Sequence, residues 1–190
     1  YPGALLNRAQ VYLQLGQYEQ ALKDCDESIR LMPNEAIAFN IRGNIYAKLD
    51  HYELAIQDYN RAISLNPDYA NAYFNRGFLY ARKFGNNELA LRDLNEAVRL
   101  KPDKAEAYFT RGNVYAELGQ HKNAIRDYYK GIDLKPDDAD VDYYRGNAYH
   151  HAGQYQMAIN AYSKGIHLKP DDAKAYYNRG NSYYKLGQYQ

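Results

Sequence analysis

The side chains able to do chemistry in this chain fall into columns. Arg8, Arg42, Arg76, Arg111, Arg145 and Arg179 stand 34, 34, 35, 34 and 34 residues apart. A guanidinium is a rigid fork for phosphate or carboxylate. Two more columns run Leu6, Asn40, Phe74, Phe109, Tyr143, Tyr177 and Gln10, Asn44, Phe78, Asn113, Asn147, Asn181. Within each repeat these two positions are four residues apart, so on a helix they form one stripe. The stripe carries no charge, although Lys and Glu are the ordinary occupants of a solvated face. Its amides can donate to and accept from a peptide backbone. Its rings add apolar contact with few rotamers to freeze. That is the chemistry of holding a peptide segment.

Other reactive types give less. A metal site needs convergent ligands. Of His51, His121, His150, His151 and His167, the adjacent pair His150 and His151 diverges on a helix, and His121 occupies a column otherwise held by Tyr18, Tyr52 and Tyr155. No metal is expected. Cys25 stands in the column of Tyr59, Leu94, Tyr128 and Tyr162, which suits a buried filler better than a nucleophile. There is no phosphate loop, nucleophile–base pair or paired carboxylates. No catalysis and no cofactor are expected.

The elements that position these columns follow from the period. Tyr12, Tyr46, Tyr80, Tyr115, Tyr149 and Tyr183 keep the arginine spacing, and Pro33, Pro67, Pro102, Pro136 and Pro170 form a further column. Such self-similarity is the signature of a repeat array. In Ala105–Leu118 the large apolar residues Tyr108, Tyr115 and Leu118 have helical spacing, as do Ile125, Tyr128, Ile132 and Leu134 in His121–Leu134. Gly119 lies between the two runs, where a left-handed residue ends a helix. Gly16, Asp50, Gly153 and Gly187 share that column, with Gly85 one residue later, so the single inserted residue should lengthen the third turn only. Proline closes each second helix. Asn34, Asp68, Asp103, Asp137 and Asp171 are expected to cap the next first helix. Small residues at Ala9, Gly43, Gly77, Gly112, Gly146 and Gly180 face Ala21, Ala55, Ala90, Ala124 and Ala158, which lets paired helices cross closely. The spacing predicts helices over 2–15, 18–31, 36–49, 52–65, 70–84, 87–100, 105–118, 121–134, 139–152, 155–168 and 173–186.

Hairpins of this kind decide between two readings of the arginines. Residues equidistant from a turn lie level, so Arg8 meets Asp24, Arg42 meets Asp58, Arg111 meets Asp127, and Asp93 serves Arg76 across the longer turn. Arg145 faces Ala161 and lacks the partner. Recurrence in nearly every repeat suits architecture better than a phosphate site. Each pair is expected to contribute ~0–1 kcal/mol.

The string Tyr108-x2-Arg111-Gly112-x2-Tyr115, then Ala124-x3-Tyr128, then Pro136 resembles the tetratricopeptide repeat family over essentially the whole chain. Arginine stands consistently where that family's pattern has leucine. The resemblance implies an all-α fold, a right-handed superhelical solenoid of helix–turn–helix repeats, here one array of repeats at about 2–35, 36–69, 70–104, 105–138 and 139–172 and a partial 173–190. It implies a concave groove lined by first helices. The stripe then becomes the partner-binding groove, with Asn40, Asn44, Phe74, Phe78, Phe109, Asn113, Tyr143, Asn147, Tyr177 and Asn181 as its contacts, and Phe74, Phe78, Phe109 and Asn113 at least partly exposed. The function implied is a scaffold or adaptor that binds a protein or peptide. The alternative is the partner- or substrate-recruiting arm of a larger enzyme. A lysine clamp for C-terminal carboxylates, known in the family, has no lysine in the Leu6 column to form it.

Charge and composition narrow the partners. Lys plus Arg is 24 against 23 for Asp plus Glu, a net +1 that favours neither nucleic acid nor an anionic membrane. No apolar run approaches a membrane span. One cysteine and no Asn-x-Ser/Thr acceptor favour a reducing, cytoplasmic setting. The chain reads as a piece of a longer array. Tyr176, Tyr183 and Leu186 in the last helix are expected to stand uncovered, so that this helix frays or self-associates.

Overall fold

The computed structural model describes residues 1–136 and 140–187. Among these are eleven helices and no strand: α1 (Pro2–Gln14), α2 (Tyr18–Leu31), α3 (Ala36–Lys48), α4 (Tyr52–Leu65), α5 (Ala70–Arg82), α6 (Asn87–Leu100), α7 (Ala105–Glu117), α8 (His121–Leu134), α9 (Val141–His151), α10 (Tyr155–Leu168) and α11 (Ala173–Lys185). The fold is an all-α repeat solenoid. It divides into two compact units, Tyr1–Lys101 and Pro102–Gln190.

In the first unit α1 packs on α2, α3 on α4 and α5 on α6, and α2 also packs on α3 and α4 on α5. The second unit repeats this with α7 on α8 and α9 on α10, and α11 lies against α10. The close crossing predicted from the small columns is present. A methyl group added at Gly43 would fall 2.7 Å from the Tyr59 ring and 3.2 Å from the Ala55 carbonyl. At Gly180 it would meet nothing within 4 Å.

The turns form as the sequence indicates. Gly119 has φ +71°, and Asp50, the non-glycine member of the column, has φ +62°. Only glycine adopts that region without cost, and Asp and Asn tolerate it best among the rest. Gly85 takes the same conformation one position later. The extra residue stays in the turn, where the Asn86 side chain caps α6 by accepting from the Leu89 amide at 3.1 Å.

The capping expectation is corrected. The N-caps of α3, α5 and α7 are Glu35, Tyr69 and Lys104, and none makes a side-chain cap bond. Asn34, Asp68, Asp103 and Asp171 sit one residue too early, within the turn opened by proline. Asp140, the N-cap of α9, makes no side-chain cap bond either, and among the described first helices only α11 is capped by a side chain. Asp172 accepts from the amides of Lys174 and Ala175 at 3.0 and 3.2 Å. Asp137 lies outside the described residues.

Candidate functional site

The arginines settle first, because their bonds decide what they can bind. Arg8, Arg42, Arg76 and Arg111 each grip the aspartate of their own second helix through Nε and Nη2, with Nε–Oδ2 distances of 2.7, 2.8, 2.7 and 2.6 Å. The carboxylates are buried, and the guanidiniums pack near rings such as Tyr108 and Tyr115, 5.5 and 5.8 Å from Arg111. Hydrogen bonds donated to Asp58 raise the pKa of Arg42 further, against the cost of burial. These forks are filled. Arg145 instead bonds Asp142 of its own helix. The sequence did not reveal a second role. Arg42 Nη1 also reaches Asp26 on α2 at 2.7 Å, Arg76 Nη1 reaches Asn60 on α4, and Arg179 Nη1 reaches Ser163 Oγ on α10 at 3.1 Å. At Arg42 and Arg76 one side chain thus closes its own hairpin and ties it to the preceding one.

In the first unit the stripe has a polar and an apolar part. Asn40 is buried and Asn44 half-buried on α3. The amide of Asn75 donates to both, at 3.0 and 2.9 Å, and the Tyr59 hydroxyl donates to Asn44 Oδ1 at 2.8 Å. Those carbonyl oxygens therefore serve the fold. Phe74 is half-buried and Phe78 is 41% exposed, their rings 6.3 Å apart. The two rings, with Leu13, Ala47 and Leu79, line a cleft of about 550 Å³ that has Lys48 and Lys83 among its lining residues. Leu6 is in the core and Gln10 is exposed.

In the second unit one expectation fails. Phe109 is only 4% exposed. Its ring stacks on Tyr144 with centroids 3.7 Å apart and planes 2° apart, and it fills the space left by the missing side chain of Gly131. It is a core residue, not an uncovered contact. Asn113 is half-buried and accepts from the Tyr128 hydroxyl at 2.8 Å. Asn147 is buried, accepting from Tyr162 at 2.7 Å and from the Asn178 amide at 3.0 Å. Tyr143, half-buried, lies within reach of the same amide at 3.4 Å. On α11, Tyr177 is 70% exposed and Asn181 half-buried. The structure thus brings Tyr143, Asn147 and Asn178 together and withdraws Phe109.

The tyrosine–asparagine bond was visible in the sequence as paired substitution. Tyr59, Tyr128 and Tyr162 face Asn44, Asn113 and Asn147, whereas Leu94 accompanies Phe78 and Cys25 accompanies Gln10. Burial raises the pKa of all three tyrosines, so the hydroxyls stay protonated donors. Cys25 is buried, which pushes its thiol up to about 12 and fits a filler.

His121, His150 and His151 of the second unit meet by packing. His121 stacks on His151 at 5.0 Å, and His150 shares a hydrogen bond with Ser182 Oγ at 2.8 Å. Among the described residues no group of three or more His, Cys, Asp and Glu could hold a metal ion. Burial first, then the neighbouring His150 and His121, hold His151 down to about 4 from 6.5. A lowered pKa favours the neutral ring in the folded state. The associated stability is present above pH 6.5 and is lost as pH falls toward 4. Water reaching the half-exposed rings screens the effect, so the expected loss is about 1–2 kcal/mol. Urea unfolding at pH 7.5 and 4.5 measures it, and His151→Gln should flatten the difference. An unchanged difference in that variant assigns the acid sensitivity elsewhere.

Among the described residues no helix is long and apolar enough to cross a membrane. Family models described as "TPR repeat" match residues 43–83, 82–119, 112–153 and 146–187, and one described as "Tetratricopeptide repeat" matches 2–35. A search of curated proteins finds no match. Solved structures do match. YrrB, described as a TPR protein with an unusual peptide-binding site, is 25% identical with a TM-score of 0.68, covering 91% of this chain and 89% of that one. The type IV pilus biogenesis factor PilW is 19% identical with a TM-score of 0.85, covering 98% and 86%. A tetratricopeptide repeat protein from Parabacteroides merdae ATCC 43184 is 21% identical with a TM-score of 0.77, covering 98% and 74%.

Proposed function

This chain belongs to the tetratricopeptide repeat family, and on that footing we propose that it is a non-catalytic interaction scaffold that binds a peptide or protein segment along its first helices. The observation that carries the reading is the first-unit cleft, where the exposed Phe78 and the half-buried Phe74 lie in the same stripe as Asn40 and Asn44. Uncovered aromatic surface beside satisfied amides is what an apolar anchor of an incoming segment requires. The peptide-binding site named for YrrB agrees with this use of the fold. In the second unit Asn113, Tyr143, Asn147, Tyr177 and Asn181 are the proposed contacts. Phe109 contributes by supporting them from the core. The face of α11 bearing Tyr176 and Leu186, both exposed, is a proposed self-contact. A single buried cysteine supports a reducing, cytoplasmic setting.

The test starts with peptides selected on the intact protein from a random display library. Phe78→Ser is expected to weaken the selected peptides at least about tenfold, a loss of about 1.4 kcal/mol. The melting temperature should stay nearly unchanged, because the ring is already partly exposed. Peptides that bind the variant as tightly as the parent would place the binding surface outside this cleft.

A further inference from the structure

The fifth repeat departs from the arginine–aspartate pattern twice. Ala161 stands where Asp24, Asp58, Asp93 and Asp127 stand, and Asp142 replaces the ring held by Phe39, Tyr73 and Tyr108. Those rings lie 5.6, 5.7 and 5.5 Å from the guanidiniums of Arg42, Arg76 and Arg111. Losing both the carboxylate and the ring opens space around Arg145. A cleft of about 250 Å³ lies there, with Met157 and Ala161 as its apolar lining and Arg145 and Lys164 as its cations.

The charges in this cleft do not balance. Arg145 Nη1 and Lys164 Nζ both bond Asp142, the latter at 3.0 Å, and Asp142 is buried. Two cations share one carboxylate, leaving one positive charge in excess. The Nε and Nη2 atoms, which hold the aspartate in the first four repeats, make no bond at Arg145 among the described residues. The guanidinium is partly open to solvent. A fork with two parallel donors fits a carboxylate in two-point contact, and this same fork does so four times elsewhere in the chain.

We propose that the α9–α10 cleft binds an external carboxylate, seated on Arg145 Nε and Nη2 in the place of the missing aspartate, with Lys164 as the second cation. The apolar lining by Met157 and Ala161 accommodates the methylenes that carry such a group, as in a small dicarboxylic acid or a glutamate side chain of a bound segment. The site is independent of the first-unit cleft and does not need the peptide reading to hold.

The experiment follows the arginine Nε–Hε resonances of isotope-labelled protein by NMR. Sodium succinate and a blocked peptide carrying two glutamates are titrated separately, with sodium chloride matching the ionic strength. The Arg145 resonance is expected to shift saturably in the millimolar range with at least one of them, while that of Arg111, whose fork is filled, stays in place. A response to succinate alone assigns a free acid, and a tighter response to the peptide assigns an acidic side chain. Ala161→Asp supplies a tethered carboxylate and should abolish the shift. Lys164→Met should weaken binding at least about threefold with the helical circular dichroism unchanged. An Arg145 resonance that moves with neither probe, or a shift that survives Ala161→Asp, overturns the proposal.

Discussion

Replacing Phe109 by alanine is expected to destabilise the second unit by about 3–5 kcal/mol, the range for removing a large ring from a packed core. Three observations set that scale. The ring is almost wholly buried, stacks flat on Tyr144, and occupies the volume that Gly131 leaves empty. It belongs to one buried cluster with Ala105, Ala124, Tyr128, Ile132, Val141 and Ala148, from three helices, so the cavity is not expected to close by one side chain turning. Phe109→Leu should retain most of the stability. Urea unfolding followed by circular dichroism measures both variants. A loss below about 1 kcal/mol for the alanine variant would show that the ring is an exposed contact after all.

Asp127→Ala is expected to cost about 3–5 kcal/mol, well above the exposed-pair value that sequence reasoning supports. The reason is what remains. The Arg111 side chain is 12% exposed and would lose the buried carboxylate that its fork grips. Burial works against its charge, and the bonds to and charge of Asp127, with smaller help from Tyr115 and Tyr108, together outweigh that and leave its pKa raised. Along the ladder the arginine exposures are 57, 21, 18 and 12% for Arg8, Arg42, Arg76 and Arg111. The cost of removing the aspartate should rise in that order, with Asp24→Ala at about 1 kcal/mol or less. Arg111→Met combined with Asp127→Leu should recover much of the loss, since an apolar pair leaves no buried charge. Equal, small losses at all four positions would contradict the burial argument.

The repeat, its helices and its turns were legible in the sequence because each rests on a local requirement that recurs. Glycine or aspartate is needed where φ is positive, proline where a helix must stop, and two small residues where helices cross. The level pairing of Arg42 with Asp58 and of Arg111 with Asp127 followed from hairpin symmetry alone. Legibility ended where one residue's role depends on a distant neighbour's size or bond. Phe109 stands in the same column as Phe74, yet Gly131 opens the core to one and nothing does so for the other. The asparagines looked available because an amide's free bonds cannot be read without its partners. Tyr59, Tyr128 and Tyr162 take the oxygens of Asn44, Asn113 and Asn147, so truncating those asparagines should harm stability as well as any ligand contact. The caps were misplaced by one residue, since the turn after proline consumes the aspartate before the helix begins.

The back-reaching arginines have a consequence for how strain is shared. Cooperativity in a linear array resides in the coupling between neighbours. At the first joint Arg42 couples hairpins through a carboxylate, Asp26, that is largely open to water. At the second, Arg76 uses the neutral amide of Asn60. Dissolved salt screens charge pairs exposed to water and leaves neutral acceptors nearly untouched. Added salt is therefore expected to weaken the polar tie between α2 and α3 more than the one between α4 and α5.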